Sequence, residues 1–367
     1  DKILLLDEQR RAFIQEGETL KAKRNDVSAK IGQVKKSGGD ASSAITEMNE
    51  VKSRIQAIDE ELKVVQEQVE ALLLTVPNVP HSSVPVGATP GENKEVSVWG
   101  EKLSVDFELK PHWDLTNKLG IIDFTRGAKV TGAGFAFYVG KGAILERSLI
   151  NFFLDQAAER GYKELAPPLL VNEESARGTG QIPDKEDLMY IAEREGYYMI
   201  PTAEVPVSNF HRKEVFEEKE LPVQYAAYSA CFRREAGSYG KDVRGLNRLH
   251  QFDKVELVKF VSPTRSYEEL ELLRRDAEHL LQLLGLPYRT LLMCTGDMGF
   301  TQTKKYDLEV WAPGQKKWLE VSSCSNFEAY QARRANIKFK SGPTDKPRFV
   351  HTLNGSGLAI GRTWLAI

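Results

Sequence analysis

The sequence predicts an α+β protein in which a long α-helical hairpin precedes a body built on a mostly antiparallel sheet. Three observations support this fold class. Residues 1–75 contain no proline and repeat apolar side chains at helical spacing. A segment rich in proline and glycine, TVPNVPHSSVPVGATPGEN, follows from Thr75. Beyond about Val96, short β-forming segments alternate with helical ones, as in an α+β body.

The first 75 residues predict two helices folded back on each other. In the first, seam positions recur at alternating steps of three and four, at Ile3, Leu6, Arg10, Phe13, Gly17, Leu20, Arg24, Val27, Ile31 and Val34. After the turn SGGDASS the rhythm returns at Ile55, Ile58, Leu62, Val65, Val69 and Leu72. Helices of about 30 residues reach on the order of 45 to 50 Å. A dimerising coiled coil or a structural spacer would show the same pattern.

Domain boundaries follow from the change in composition. We place the helical hairpin, called the arm below, at 1–75, a linker and lead-in at 76–110, and the body at 111–367. A chain of 367 residues exceeds a typical domain of roughly 150 residues, so two domains are expected.

Charge and cysteine content exclude several classes of protein. The net charge is −2 and the isoelectric point is near 6.4, so any RNA contact must rest on local basic patches. Cys231, Cys294 and Cys324 form no CxxC pair, which argues against a disulfide framework or a self-contained zinc site. No apolar run approaches the roughly 20 residues of a membrane span, and the first residues lack a signal-peptide core. We expect a soluble cytoplasmic protein without membrane contact.

Several elements of the body are predicted from local patterns. The segment KGAILERSLINFFLDQAAERGYKELAPPLLV predicts a helix running into a strand that is closed by Pro167 and Pro168. The apolar side of that helix contains Ile144, Leu145, Leu149, Phe152 and Phe153. Further strands are predicted at YYMIP, YDLEVW and WLEVSS, and SYEELELLRRDAEHLLQLLG predicts a helix that stops at Gly285.

The segment Cys231–Glu256, CFRREAGSYGKDVRGLNRLHQFDKVE, predicts a strand–loop–strand hairpin suited to an anion. Its flanks are rich in β-branched and aromatic residues, and Gly237, Gly240 and Gly245 punctuate the loop. Taken alone, the segment equally fits a solvated hairpin with many salt bridges.

The spacing within this hairpin pairs chemically useful side chains. Residues two apart on a strand share a face, so Arg233 and Glu235 should point the same way, as should Phe252 and Glu256. A guanidinium binds phosphate or carboxylate, a carboxylate accepts from an amino group, and an aromatic ring stacks on a base. Together these groups suit a nucleotide and an amino acid.

The motif FRRE, followed by a long loop and HQFDKVE, resembles the second signature motif of class II aminoacyl-tRNA synthetases. It is most similar to seryl-tRNA synthetases of the bacterial type, as are TGQIPDKEDL, IPTAEVPV, YDLEVW, EVSSCSNFEAYQARR and HTLNGSGLAIGR. The resemblance implies a class II antiparallel sheet flanked by helices, with 111–367 as the catalytic domain. A first motif ending at Pro168 implies a homodimer. Because the chain starts inside the first helix and stops at Ile367, we expect terminal segments to be missing or disordered.

The resemblance also implies an ATP site. Its residues would be Arg233, Arg234, Glu235, Phe252, Glu320, Val321, Ser322, Ser323 and Arg362. Arg233 would hold the α-phosphate and Glu235 would read the adenine amino group, while Phe252 and Arg362 would sandwich the ring. Arg233, Glu235 and Arg362 would be the catalytic residues. The small residues of GSGLAIGR would let a helix begin close to the nucleotide.

A Mg²⁺ site is implied at Glu320 and Ser323, since this hard cation prefers oxygen ligands and keeps several waters. Without the resemblance, Glu320 could simply be a polar residue on a strand face. The sequence contains no HxxxH pair, GxSxG elbow or GxxxxGK[ST] loop, so zinc-hydrolase, serine-hydrolase and P-loop classes are not indicated.

The serine-binding residues implied by the resemblance are Thr202, Ala203, Glu204, Arg233, Glu256, Asn354 and Ser356. Thr202 would lie near the substrate ammonium, and Glu256 and Ser356 would take the hydroxyl. A site that bonds a substrate hydroxyl strongly rejects the analogue lacking it. From the residues alone, Glu256 could also be a core glutamate whose hydrogen bonds are satisfied.

The implied function is activation of L-serine by ATP to seryl-adenylate, followed by transfer to tRNA(Ser) gripped by the arm. Phosphate contacts could come from Lys21, Lys23, Lys30, Lys35, Lys36, Lys52 and Arg54. Two alternatives stay open, namely a class II-like ligase that charges a carrier protein and a non-catalytic paralogue that only binds RNA. The intact arm argues against the first, and the set Arg233, Glu235, Glu320 and Arg362 argues against the second.

Overall fold

The computed structural model describes residues 1–184, 187–236 and 244–367. These residues divide into two compact units, Asp1–Val76 and Pro77–Ile367. Within the described ranges, none of the helices is both long and apolar enough to cross a membrane.

Two parts of the predicted motifs lie outside the described residues. They are residues 237–243 of the hairpin segment, which include Gly237 and Gly240, and Lys185 and Glu186 of TGQIPDKEDL.

The first unit is an antiparallel pair of helices, α1 (Lys2–Lys36) and α2 (Ser42–Leu73), which confirms the predicted helical hairpin. Ion pairs join Arg54 to Glu16 at 2.9 Å and Lys23 to Glu47 at 2.8 Å, so residue numbers rise along one helix as they fall along the other. The seam is apolar, with buried Gly17, Val27, Met48, Val51, Ile55, Ile58, Val65 and Val69.

The second unit contains further helices and strands in alternation. The helices are α3 (His112–Leu119), α4 (Phe124–Val130), α5 (Lys141–Glu159), α6 (Glu173–Thr179), α7 (Glu204–Asn209), α8 (Ser266–Leu283), α9 (Tyr330–Ala335) and α10 (Ile360–Ala366). The strands are β1 (Lys94–Trp99), β2 (Ile122–Asp123), β3 (Phe137–Tyr138), β4 (Lys163–Glu164), β5 (Leu170–Val171), β6 (Ile191–Ala192), β7 (Tyr197–Met199), β8 (Val215–Glu217), β9 (Val223–Phe232), β10 (Gln251–Val261), β11 (Tyr288–Leu292), β12 (Lys304–Ala312), β13 (Lys317–Asn326), β14 (Lys338–Lys340), β15 (Arg348–Phe349) and β16 (His351–Ala359).

The main sheet has eight strands in the order β1-β11-β12-β13-β16-β10-β9-β4. All neighbours are antiparallel except β4, which runs parallel to β9. The predicted α+β class with a mostly antiparallel sheet is therefore confirmed.

The two faces of this sheet have different roles. Alternate residues such as Val255, Leu257 and Leu308 are buried in one apolar core, to which Leu273 of α8 and Phe153 of α5 belong. The intervening residues face the other way because successive side chains alternate across a strand. An irregularity in the β12–β13 pairing shifts this alternation, so that Glu320 and Ser323 both line a cavity on this second face. Around β12, β13, β16 and the start of β10 that second face is polar and contains the candidate site, whereas Val258 and Phe260 farther along β10 belong to a second apolar cluster.

Local predictions in the body largely hold. The segments YYMIP, YDLEVW and WLEVSS contribute to β7, β12 and β13, and α8 is followed by Gly285 at φ +65°. The predicted strand around Pro167 and Pro168 is instead two short strands, β4 and β5, on either side of the prolines.

The segment after the arm is attached to the second unit. The backbone N–H groups of Asn78 and His81 donate to the carbonyls of Phe300 and Thr303, both at 2.9 Å. Strand β1 then forms one edge of the main sheet. The domain boundaries at 75 and 110 stay predictions, but residues within 76–110 supply a strand to the body.

Candidate active site

A cavity of about 420 Å³ opens on the polar face of the main sheet. Among the residues that the resemblance implied for binding ATP or serine, those that line the cavity are Thr202, Glu204, Arg233, Glu235, Phe252, Glu256, Glu320, Val321, Ser323, Asn354, Ser356 and Arg362. Neighbouring strands β12, β13, β16 and β10 form its floor, which explains how residues distant in sequence come together.

One end of the cavity is cationic, and Arg233 lies there directly after β9. Its Nε donates to the carbonyl of Pro201 at 3.2 Å, and its guanidinium carbon lies 5.1 Å from the centre of the Phe252 ring. A guanidinium held beside an aromatic ring can bind an anion next to a stacked base.

Glu235 also lines the cavity, but the prediction that it shares a strand face with Arg233 is wrong. Strand β9 ends at Phe232, so Arg233 and Glu235 do not share a strand face. Glu235 has φ +49°, and its carboxylate accepts from Arg248 at 2.9 Å. The loop conformation, rather than strand alternation, therefore places this carboxylate.

Arg362 enters the cavity from α10 and is held by two backbone carbonyls. Its Nε donates to the carbonyl of Asn247 at 3.2 Å, and its Nη1 donates to the carbonyl of Glu320 at 2.8 Å. The same Nη1 lies 3.9 Å from the Glu320 carboxylate. The guanidinium is thus fixed by groups that do not depend on its own helix.

Glu320 remains ionised because cations surround it. Enclosure alone would raise the pKa of this carboxyl, but the charges of Lys305, Arg362 and Arg233 outweigh that effect and lower the pKa. Ser323, which lies three residues after Glu320 on β13, also lines the cavity. The described residues contain no group of three or more His, Cys, Asp or Glu able to hold a metal.

Asp307 lies beneath this region, opposite Ser323 in the β12–β13 ladder. Burial and the charge of Glu320 raise the pKa of Asp307 to about 7, while Lys305 at 3.1 Å opposes the shift. Burial would lower the pKa of Lys305, yet the two carboxylates raise it. Lys305 therefore keeps its positive charge at the cavity wall.

The other end of the cavity is rich in buried carboxylates. Glu256, which is only 2% exposed, accepts from the Thr202 hydroxyl at 3.0 Å and pairs with Lys254. The Lys254 ammonium also donates to Thr202 at 2.8 Å. Ser356 lies directly opposite Glu256 in the β10–β16 ladder. Glu256 is thus both paired and open to the cavity.

Glu204 is the second carboxylate at this end. It accepts from the Gln331 amide at 2.6 Å, and Gln331 is itself fixed by the Thr352 hydroxyl at 2.7 Å. Burial, reinforced by the charge of Glu256, raises the pKa of Glu204 to about 7. The buried hydroxyl of Ser325, which lines the cavity, has no hydrogen-bond partner among the described residues.

Three of the predicted site residues do not place their side chains in the cavity. Arg234 is paired with Asp187 and its side chain is 46% exposed. Ala203 is fully buried in a separate apolar cluster. The Ser322 hydroxyl donates to the carbonyl of Ser356 at 2.6 Å and is covered.

The glycines before α10 serve packing rather than nucleotide access. A Cβ at Gly355 would lie 2.8 Å from the Cys324 sulfur, and one at Gly357 would lie 3.0 Å from Leu257. Both glycines therefore face the apolar core. Gly361, in the first turn of α10, does line the cavity, which is consistent with a helix that begins close to the nucleotide.

Sequence reasoning missed several residues that line the cavity. They are Gln181, Leu188, Pro201, Leu246, Asn247, Arg248, Leu249, Lys254, Gln302, Lys305, Ser325, Ala359 and Gly361. Strand alternation could have found Lys254, which is two residues from Glu256. The loop residues 246–249 carry no such signal.

Comparison with known proteins identifies the class to which this fold and cavity belong. Residues 189–367 match the tRNA synthetase class II core domain (G, H, P, S and T). Residues 1–80 match the seryl-tRNA synthetase N-terminal domain. The chain therefore has the core of a class II aminoacyl-tRNA synthetase.

Full-length relatives narrow this class to one family. A serine–tRNA ligase of Carboxydothermus hydrogenoformans is 55% identical, covering 100% of this chain and 87% of the relative. One from Geobacter sulfurreducens is 56% identical over 99% of this chain and 86% of its own. A solved seryl-tRNA synthetase of Pyrococcus horikoshii complexed with ATP is 38% identical with a TM-score of 0.93, covering 100% of this chain and 87% of that one. The chain belongs to the seryl-tRNA synthetase family.

Proposed function

We propose that this chain activates L-serine with ATP to seryl-adenylate and transfers the seryl group to tRNA(Ser). The observation that carries the proposal is a single cavity with a cationic end at Arg233 and Arg362 and an acidic end at Glu256. ATP must meet an amino acid in such a reaction, and the two ends suit its phosphates and the ammonium and hydroxyl of serine.

In the activation step, the serine carboxylate attacks the α-phosphorus and pyrophosphate leaves with the electron pair of the broken P–O bond. Arg233 is the proposed stabiliser of the developing charge, since a guanidinium fixed before reaction costs no reorganisation. Phe252 and Arg362 would enclose the adenine, and Glu235 would accept from its amino group. These roles make Arg233, Glu235 and Arg362 the proposed catalytic residues.

Glu320 and Ser323 fit the Mg²⁺ that such a reaction uses. The carboxylate stays ionised, both groups offer oxygen, and both line the same cavity. When bound, the ion would neutralise phosphate charge, with further ligands from ATP and water. The chain supplies only two of its ligands in this proposal.

At the acidic end, Glu256 and Ser356 are the proposed partners of the serine hydroxyl. Their direct pairing across β10 and β16 supports a shared ligand. Thr202 and Glu204 are the proposed ammonium site, with Asn354 beside Glu204. Glu256 already forms an ion pair with Lys254, so the serine hydroxyl would add a hydrogen bond to a carboxylate whose charge is already neutralised.

We also propose that the arm binds the tRNA. Lys21, Lys23 and Arg54 are engaged with acidic residues of the arm. Among the described residues, no ion pair involves the remaining candidates, which are Lys30, Lys35, Lys36 and Lys52. Three of these four lie near the turn that joins α1 to α2, and they are the first candidates for phosphate contacts.

We propose a homodimer whose interface includes exposed residues of α5 and of the start of β5. Leu149 cannot contribute, because it is buried within one chain. Ile144, Leu169 and Leu170 are instead large apolar side chains left exposed, with Ile144 at 53%. A monomer in sedimentation at micromolar concentration would contradict this interface. A cytoplasmic location agrees with three free, buried cysteines.

One assay tests the proposed function. Exchange of labelled pyrophosphate into ATP should depend on serine when all standard amino acids are compared, and serine should then be transferred to tRNA(Ser). Activation of another amino acid, or transfer to a carrier protein but not to tRNA, would overturn the proposal.

A further inference from the structure

The position of Arg362 depends on Asn247, a residue of the segment that returns to β10. The carbonyl of Asn247 accepts from Arg362 Nε at 3.2 Å, opposite the anchor at Glu320. Asn247 lies outside the helices and strands, so its position must be fixed by contacts other than the hydrogen bonds of a regular element.

The side chain of Asn247 is tied to the turn between β12 and β13. Its amide nitrogen donates to Gln315 Oε1 at 3.0 Å, and the Gln315 amide nitrogen donates back to Asn247 Oδ1 at 3.1 Å. A reciprocal amide pair uses a donor and an acceptor on each side and restricts both side chains. The turn therefore fixes the loop residue that fixes Arg362.

His112, the first residue of α3, contacts Gln315 and Leu246, the residue before Asn247. Its Nε2 accepts from the backbone N–H of Leu246 at 2.8 Å, and its Nδ1 lies 3.3 Å from the Gln315 amide. Since Nε2 accepts, the neutral ring carries its proton on Nδ1. If the side-chain amides of Asn247 and Gln315 are both rotated by 180°, the pair keeps its two hydrogen bonds. The Gln315 oxygen then accepts from the Nδ1 proton of His112.

Two glycines make this close packing possible. Gly245 has φ +69°, and a Cβ there would lie 2.1 Å from His112 Nε2. A Cβ at Gly314 would lie 2.2 Å from the carbonyl of Lys110. The start of α3 is thus wedged between the loop and the turn at two points where no side chain fits.

We propose that His112, Gln315 and Asn247 form a clamp that positions Arg362 over the adenine end of the cavity and so sets the affinity for ATP. The inference rests on the proposed function in taking ATP as the ligand of that end. His112 and Gln315 act through Asn247 and are positioning residues, and neither lines the cavity.

Exchange of the paired amides tests the clamp. Gln315→Asn shortens one partner and should weaken ATP binding about tenfold, as expected when a partly buried polar contact is lost. The double variant N247Q/Q315N keeps the combined length of the two side chains and both hydrogen bonds, and should restore ATP affinity to within about threefold. The KM for serine should change less than about twofold in both variants.

ATP affinity is measured by calorimetric titration of the full chain, and exchange kinetics separate KM from kcat. Gln224→Asn is the matched control, because Gln224 also donates to a carbonyl, that of Arg160, away from the cavity. Its ATP affinity should equal that of wild type. Equal melting temperatures exclude general destabilisation as the cause of a loss.

The outcomes separate the clamp from the proposed function. Normal ATP affinity in Gln315→Asn, or a double variant no better than the single one, would overturn the clamp. If wild type binds ATP but shows no serine-dependent exchange, the proposed function fails while the titration still decides the clamp. If wild type binds no ATP, both are overturned.

Discussion

The two units of the chain use charged residues in different ways. In the arm, ion pairs such as Lys23–Glu47 lie on the exposed surface around an apolar seam. In the body, Lys254–Glu256 is buried at the wall of the cavity. Exposed pairs are screened by salt and add little stability, whereas loss of one buried partner is costly. Salt should therefore act mainly on the arm, and substitution or pH mainly on the body.

Removal of the arm is the strongest test of this division. A shortened chain beginning at Val76 keeps β1 and the contacts of Asn78, so it should fold and keep serine-dependent pyrophosphate exchange. Charging of tRNA should fall by roughly a thousandfold, because phosphate contacts dominate such binding and weaken steeply with salt. Charging that survives removal would make the arm a spacer.

A milder variant locates the effect within the arm. K35A/K36A removes two cations near the turn and should reduce the salt dependence of tRNA binding by about two ion equivalents. Lys346→Ala removes one exposed cation from the body and is the control, and its salt slope should equal that of wild type. Equal salt slopes in both variants would place the RNA contacts elsewhere.

Within the body, Arg233→Ala should reduce serine-dependent exchange by at least about a hundredfold, since a principal charge contact of the transition state is lost. Arg234→Ala is the control, because the neighbouring side chain is exposed and paired with Asp187. Exchange kinetics at saturating substrates should show the loss in kcat. Near-normal exchange in Arg233→Ala would remove this residue from the site.

Glu256→Gln tests the acidic end and should have a smaller effect. The substitution keeps shape but removes charge, so the KM for serine should rise about tenfold and discrimination against alanine should fall, with ATP binding retained. Glu269→Gln is the control, because it breaks the buried Lys259–Glu269 pair, joined at 3.1 Å, away from the cavity. Selectivity unchanged in Glu256→Gln would assign Glu256 to packing alone.

The smallest effect concerns pH. Burial, followed by the charges of Arg244 and Lys317, lowers the pKa of His112 from 6.5 to about 4. As pH falls, His112 is therefore protonated in the unfolded chain before it is protonated in the folded one. The free energy of unfolding drops by up to roughly 3 kcal/mol between pH 6.5 and pH 4 for this reason. Urea unfolding at pH 7.5 and pH 5 should show a smaller loss in His112→Gln than in wild type. Equal losses would contradict the neutral, bonded histidine.

Regular periodicity made the fold predictable. The heptad positions of the arm, the apolar side of α8 and the alternation in β12 and β13 each fix an element through a repeated local pattern. The interrupted strand near Pro167 was harder, because prolines remove backbone donors but do not show how pairing resumes on their far side.

The candidate site was predictable where a strand carried it. Glu256 and Ser356 follow from motif and alternation, and the structure places them opposite each other. Arg234 and Ser322 came from the resemblance alone. Strand β9 ends before Arg234, whose side chain pairs with Asp187, whereas Ser322 lies on β13 between two lining residues, and neighbours on a strand point to opposite faces. Asn247 was missed because its position depends on tertiary contacts with Gln315, which no local pattern records.

The alternation of faces in β10 has a consequence for how such a chain can change over time. In the first half of β10, substitutions at Lys254 or Glu256 reach the cavity and leave the core residues Val255 and Leu257 intact, whereas substitutions at Val255 or Leu257 alter stability first. Specificity and folding can therefore change independently along this half of the strand. A single inserted residue would abolish this independence, because it would send Lys254 and Glu256 into the core and bring Val255 and Leu257 to the substrate.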